Sequence, residues 1–137
     1  MGSHAALLVV EDDPLDQILL KKAFDQVGVS FDYVFCDSAE AALERLENGI
    51  SPRVIMTDLR MPGMGGLEFL SRLKKQGDLG DIPTLVFSTS NHDDDVRAAY
   101  QRRASAYVVK PDNVSGYERF ADRLIKFWFE ETRYPQS

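Results

Sequence analysis

Apolar positions in this chain fall into short blocks separated by longer stretches in which they recur every three or four residues. The blocks at 6–10, 32–36, 54–57, 84–88 and 106–109 have strand-like composition, and the stretches between them have helical periodicity. The first helix is expected after Asp13, an N-cap candidate, with Pro14 in the first turn that proline prefers. Leu15, Leu19, Ala23 and Val27 would share one side of it, and Gly28 would close it. The second is expected over 38–48, introduced by Asp37 and Glu40 at capping-box spacing and ended by Gly49. Three more follow over 66–76, 92–103 and 114 to about 132.

Three of the strand blocks are continuously apolar, which suits central strands covered by helices on both faces. Strand–helix repeats with short connections and right-handed crossovers give one α/β domain with a doubly wound parallel sheet. The expected fold is a flavodoxin-like (βα)5 domain with strand order 2-1-3-4-5, where the ends of strands one and three meet at the switch point.

Composition changes this picture little. The 137 residues suit one domain, expected over 6–133, with residues 1–5 disordered or tag-like and no effector domain. A net charge of −6 and the absence of a basic run argue against nucleic acid as a partner. No apolar stretch is long enough to span a bilayer, so no membrane partner is expected. Cys36 is the single cysteine, read as an inert strand residue, and a cytoplasmic location is expected.

The strand ends carry the chemistry. LLVV runs into Glu11-Asp12-Asp13, VIM into Thr57-Asp58, LVF into Ser88, and YVV into Lys110. In a parallel sheet these ends converge on one crevice. Glu11, Asp12 and Asp58 would set three carboxylates against the one ammonium of Lys110, an imbalance that raised pKa values or a bound cation resolves. Oxygen ligands point to Mg²⁺. Metal binding alone does not call for Lys110 and Ser88, whereas a phosphoryl acceptor does, because phosphoryl oxygens need positive charge and hydrogen-bond donors. Asp58, central to the group, is the candidate nucleophile. Asp13 reads as a helix cap, and His92 with the following acids as a helix start.

The segments VVEDDP, MTDLRMPGMGG, PTLVFSTS and AYVVKP resemble, in order and separation, the signature segments of the receiver domain of two-component response regulators. The resemblance implies that Asp58 accepts phosphate from a histidine kinase or histidine phosphotransfer protein. It implies that Glu11 and Asp12 hold Mg²⁺ and that the Arg60 carbonyl supplies another ligand. Lys110 would pair with the phosphoryl group, Ser88 would bond it after a small shift, and Tyr107 would be the switch aromatic. Lys110-Pro111 resembles the family's cis peptide. Arg60 and Ser90 occupy positions that in the family tune phosphate lifetime, and Gly65 replaces a common acidic residue. Function would follow as a population shift that alters contacts with a downstream protein partner.

On the last helix Tyr117, Phe120, Leu124, Phe127 and Trp128 share one face, leaving Ile125 and Phe129 on its flank. Those two are either covered by the chain's own tail or form a surface for self-association. The FWFEETRYP ending and the GDLGDIP segment are similar to stand-alone receivers associated with bacterial phytochrome kinases, some of which dimerise, so a homodimer is a candidate assembly. Two alternatives stay open. One is a receiver-like binding module that does not use phosphate. The other is a phosphatase resembling the haloacid-dehalogenase superfamily, although Arg60 stands where those enzymes need a second aspartate.

Overall fold

The computed structural model describes residues 7–27 and 32–131. Five strands, β1 (Leu7–Val10), β2 (Tyr33–Cys36), β3 (Val54–Thr57), β4 (Thr84–Ser88) and β5 (Ala106–Val109), form one parallel sheet in the order β2-β1-β3-β4-β5. Helices α1 (Pro14–Gln26), α2 (Ala39–Glu47), α3 (Gly66–Lys74), α4 (Asp93–Gln101) and α5 (Val114–Ile125) connect or follow them. A 3₁₀ turn at Gly77–Asp81 precedes β4. This is the flavodoxin-like (βα)5 arrangement expected from the strand pattern. The domain limits at residues 6 and 133, the 1–5 segment and the Gly28 cap lie outside the described residues.

Strand β1 explains why its apolar run is unbroken. Leu8 and Val10 enter one core with α2 and α3 residues such as Leu43, Phe69 and Leu73. Leu7 and Val9 enter the opposite core with Leu20 and Phe24 of α1 and Leu124 of α5. A smaller cluster seats α4 through Ala99 against Leu70 and Val86. Each such buried aliphatic or aromatic side chain contributes about 1.5–3 kcal/mol through removal from water.

Several local expectations change. Helix α2 is capped by Ser38, whose hydroxyl accepts from Ala41 N at 3.1 Å, and not by an Asp37/Glu40 box. Asp37 instead accepts from Gln17 Nε2, and Glu40 accepts from Met64 N at 3.2 Å, bracing the β3–α3 loop. Leu15 is 62% exposed, because the inward stripe of α1 runs through Leu20, Ala23 and Phe24. Helix α4 stops at Gln101, and Arg103 takes a left-handed backbone (φ 67°) that turns the chain into β5.

After Ile125 the last helix widens into a π-helical turn, Lys126–Glu131. Ile125 is fully buried in the core shared with α1, so it is not the free flank residue expected. Packing of α1 against α5 covers it. Phe129 is half-buried against the same core, and Phe127, placed on the core stripe by a regular helical period, is instead 54% exposed. The wider turn changes the angle each residue advances, which is why the helical projection fails there.

Candidate functional site at the carboxyl edge of the sheet

The backbone ladder continues one residue past three of the strands. Glu11 N donates to Cys36 O at 3.0 Å, Asp58 N to Val10 O at 3.0 Å, and Lys110 N to Ser88 O at 2.8 Å. These bonds pin Glu11, Asp58 and Lys110 to the same edge, beside the switch between β1 and β3. Ligand-type oxygens of Glu11, Asp12 and Asp58 lie within 4.8 Å of one another.

Lys110 reaches into this group with its side chain only 4% exposed. Its Nζ lies 2.8 Å from Glu11 Oε1, 3.1 Å from Asp58 Oδ2 and 2.6 Å from Asp16 Oδ2. It also stands 5.8 Å from the centre of the Phe87 ring. Burial by itself would lower the Lys110 pKa, but hydrogen bonds and charge from Asp16, Glu11 and Asp58 outweigh it and hold the ammonium above its ordinary range. For Glu11 burial wins: its pKa rises to about 7, with the nearby Asp58 adding to the rise and Lys110 opposing it.

The first helix and the β3–α3 loop complete the frame. Asp13 accepts from Leu15 N at 2.9 Å and so caps α1, as its place before Pro14 predicts. Asp58 Oδ1 accepts from Leu59 N at 2.7 Å, leaving Oδ2 to the lysine. Gly66 opens α3 so close beneath this residue that a Cβ there would sit 2.2 Å from the Asp58 carbonyl oxygen.

The donor set suits a hard divalent cation. It is all oxygen, it carries more negative charge than Lys110 balances, and none of the described residues gives the half-buried Asp12 carboxylate a hydrogen bond or ion pair.

The sequence profile of the response regulator receiver domain matches residues 7–117. The chain belongs to the response regulator receiver family. This receiver is 33% identical over 94% of its length to the probable methanogenesis regulatory protein FilR2 of Methanothrix harundinacea, covering 86% of that protein. It is 29% identical to response regulator Rcp1 of Synechocystis over 96% of this chain and 93% of Rcp1. Among solved structures, the Mn²⁺-bound form of Rcp1 superposes with a TM-score of 0.86 at 28% identity, covering 96% of this chain and 99% of that one. The phosphorylated cyanobacterial phytochrome response regulator RcpA gives 0.89 at 27% identity, covering 98% and 100%. The likeness to phytochrome-associated regulators read from the two chain segments is therefore carried by sequence and fold together.

The other residues singled out in this receiver lie on or beside the β4–α4 loop. Ser88 is buried at the end of β4, and its hydroxyl accepts from Ser90 N at 3.1 Å. Tyr107 turns onto this loop and donates its hydroxyl to Ser90 O at 2.9 Å. The Arg60 guanidinium points away from the carboxylates to Asp95 on α4, at 2.8 Å, and the Ser90 hydroxyl donates to the same Asp95 oxygen at 2.5 Å. The hydroxyl and the guanidinium together hold Asp95 below the usual carboxylate range. The Arg60 carbonyl takes no hydrogen bond from the described residues.

One expectation about the frame fails. The Lys110-Pro111 bond is trans, as are all the described peptide bonds, and the lysine is aimed inward by three carboxylates. A groove of about 400 Å³ opens elsewhere, between β5 and α5, lined by Val108, Pro111, Phe120, Phe127 and Trp128 among others.

Sequence reasoning missed Asp16 and Asp95. Asp16 sits on the first turn of α1, just after the Asp13 cap, so it stays at the end of the sheet where β1 ends. Asp95 was absorbed into an acidic run read as favouring a helix start.

Proposed function

We propose that this receiver is a phosphoacceptor of a two-component phosphorelay, taking a phosphoryl group from a kinase or phosphotransfer phosphohistidine onto Asp58. The observation that carries this reading is the position of the Lys110 ammonium, buried and 3.1 Å from Asp58 Oδ2. That oxygen attacks phosphorus, a P–O bond forms as the P–N bond breaks, and the imidazole nitrogen leaves with the electron pair and takes up a proton. Lys110 then faces a phosphoryl oxygen in place of a carboxylate oxygen, and Ser88 donates to another once its loop closes inward.

Glu11, Asp12, Asp58 and the Arg60 carbonyl would hold Mg²⁺, which when bound supplies positive charge to the phosphoryl oxygens. Adding about two negative charges at Asp58 biases the equilibrium of the β4–α4 loop, where Ser88, Ser90 and Tyr107 already share hydrogen bonds. Arg60 and Ser90, joined through Asp95, stand where they would govern the lifetime of the adduct. The output is altered contact with a downstream protein, in the cytoplasm where the kinase presents its phosphohistidine.

The test is incubation with Mg²⁺ and acetyl phosphate. Wild type is expected to form an acid-stable, base-labile adduct mapping to Asp58, and Asp58→Asn to form none. An adduct that persists in Asp58→Asn, or no adduct in wild type, overturns the assignment.

A further inference from the structure

Lys110 makes its shortest contact with Asp16, a residue that is neither one of the clustered oxygen donors nor the nucleophile. Asp16 Oδ2 lies 2.6 Å from Nζ, while its Oδ1 accepts from the Tyr117 hydroxyl at 3.1 Å. Tyr117 is itself buried on α5 and meets Phe87, the neighbour of Ser88, edge-to-face at 5.9 Å between ring centres. Asp16 is therefore held from two sides, by the lysine on β5's end and by a phenol fixed in the core.

A cation and an ammonium compete for the same carboxylate oxygens. Were Asp16 absent, Lys110 would be confined to Glu11 and Asp58, two of the three clustered donors. With Asp16 present the ammonium has a third acceptor outside that set, and the donors keep lone pairs for a metal. We infer that Asp16 is a positioning residue which draws Lys110 partly off Glu11 and Asp58, opening the carboxylate cluster to a divalent cation. Tyr117 keeps the Asp16 carboxylate turned toward the lysine. When a phosphoryl group reaches Asp58, Lys110 moves to its oxygens and Asp16 retains the Tyr117 bond, so its carboxylate is not left without a partner. This inference rests on the reading of the cluster as a metal-assisted phosphoacceptor.

The experiment measures Mg²⁺ binding to the unphosphorylated protein by titration calorimetry, with Mn²⁺ as a second probe. Wild type, Asp16→Asn, Lys110→Ala and the double variant are compared, with thermal melts as a check on folding. Asp16→Asn is expected to weaken Mg²⁺ binding by on the order of ten-fold in the presence of Lys110. In the Lys110→Ala background the same change should cost about two-fold, the residue of a lost distant charge. Tyr117→Phe should weaken binding less than Asp16→Asn, and Asp16→Glu should recover part of the loss.

Equal losses in both backgrounds would show a general field effect and overturn the role assigned to Asp16, as would unchanged affinity in Asp16→Asn. If Asp16→Asn does not fold, Tyr117→Phe and Asp16→Glu carry the same comparison. Acetyl phosphate labelling of each variant separates the two readings. With limiting Mg²⁺, Asp16→Asn should label Asp58 more slowly than wild type, and added Mg²⁺ should recover part of the rate. Absence of any adduct in wild type would instead strike at the phosphoacceptor reading, while the calorimetric cycle would still decide whether Asp16 acts through the lysine.

Discussion

Replacing Asp58 by Asn in the metal-free protein is expected to raise stability by about 3.5 kcal/mol more at pH 8 than at pH 5.5. Asp58 lies within 4.8 Å of carboxylate oxygens on Glu11 and Asp12 and 3.1 Å from the Lys110 ammonium. At an effective dielectric near 20, each repulsion is worth about 3.5 kcal/mol and the attraction about 5 kcal/mol. Asn keeps the size of the side chain and an oxygen for the Leu59 N–H bond, so charge is the main change. At pH 8, above the Glu11 value of about 7, the substitution removes the repulsions from both Glu11 and Asp12 along with the attraction to Lys110. At pH 5.5 Glu11 is neutral, its repulsion is already absent, and the substitution stabilises by about 3.5 kcal/mol less than at pH 8. Asp16, bound to the same ammonium, adds an equal repulsion at both pH values and leaves the difference between them intact.

The wild-type pH dependence follows from the same group. The folded-state pKa of Glu11 is raised from 4.5 to about 7, so the native state holds an extra proton between those values. The stability this proton contributes is fully present below pH 4.5 and is lost as pH rises through 7. The assay is urea denaturation of both proteins in EDTA at the two pH values. Wild type should lose stability between pH 5.5 and 8, and Asp58→Asn should lose less. A substitution effect that agrees within about 0.5 kcal/mol at both pH values would refute the coupling of Asp58 to Glu11.

Three further outcomes are expected. Adding Mg²⁺ to about 100 times its dissociation constant should stabilise wild type by about 2.7 kcal/mol, a rise of roughly 10 °C in the melting midpoint; Asp58→Asn should show a much smaller rise, and equal rises would place the cation elsewhere. Gly66→Ala should destabilise by about 1–3 kcal/mol in denaturant titration, because its Cβ would lie 2.2 Å from the Asp58 carbonyl oxygen, and it should slow labelling by acetyl phosphate as that carbonyl is displaced. Ser38→Ala removes the hydroxyl that caps α2 and should cost about 1 kcal/mol, whereas Asp37→Ala should cost less; the reverse order would restore the capping box expected from sequence.

Much of the fold was legible because a parallel sheet is written in local terms. Unbroken apolar runs such as LLVV and VIM mark strands covered on both faces, and the helical stretches between them leave few ways to wind the chain. The position of a residue just past a strand then follows from the strand itself. Glu11, Asp58 and Lys110 reach the shared edge this way, with Ser88 as the last residue of β4, and the ladder bonds at Glu11, Asp58 and Lys110 show why. Asp16 was not found, because helical spacing says which turn it occupies but not which lysine, 94 residues later, will meet it.

The failures share that cause. Whether Leu15 or Leu20 faces inward depends on how α1 rotates to meet α5, and whether Ile125 is covered depends on the same packing. Glu40 left its expected cap for Met64 N because the β3–α3 loop, distant in sequence, brings a donor within reach. Arg60, ambiguous beside Asp58, is drawn outward by Asp95 on another helix. The order of elements, the edge where the acids and Lys110 meet and the shortage of positive charge there can be read from the chain alone, since each depends on local period and on counting. Which partner each polar side chain takes is settled on folding, because that choice is made by distances between segments the chain order does not relate.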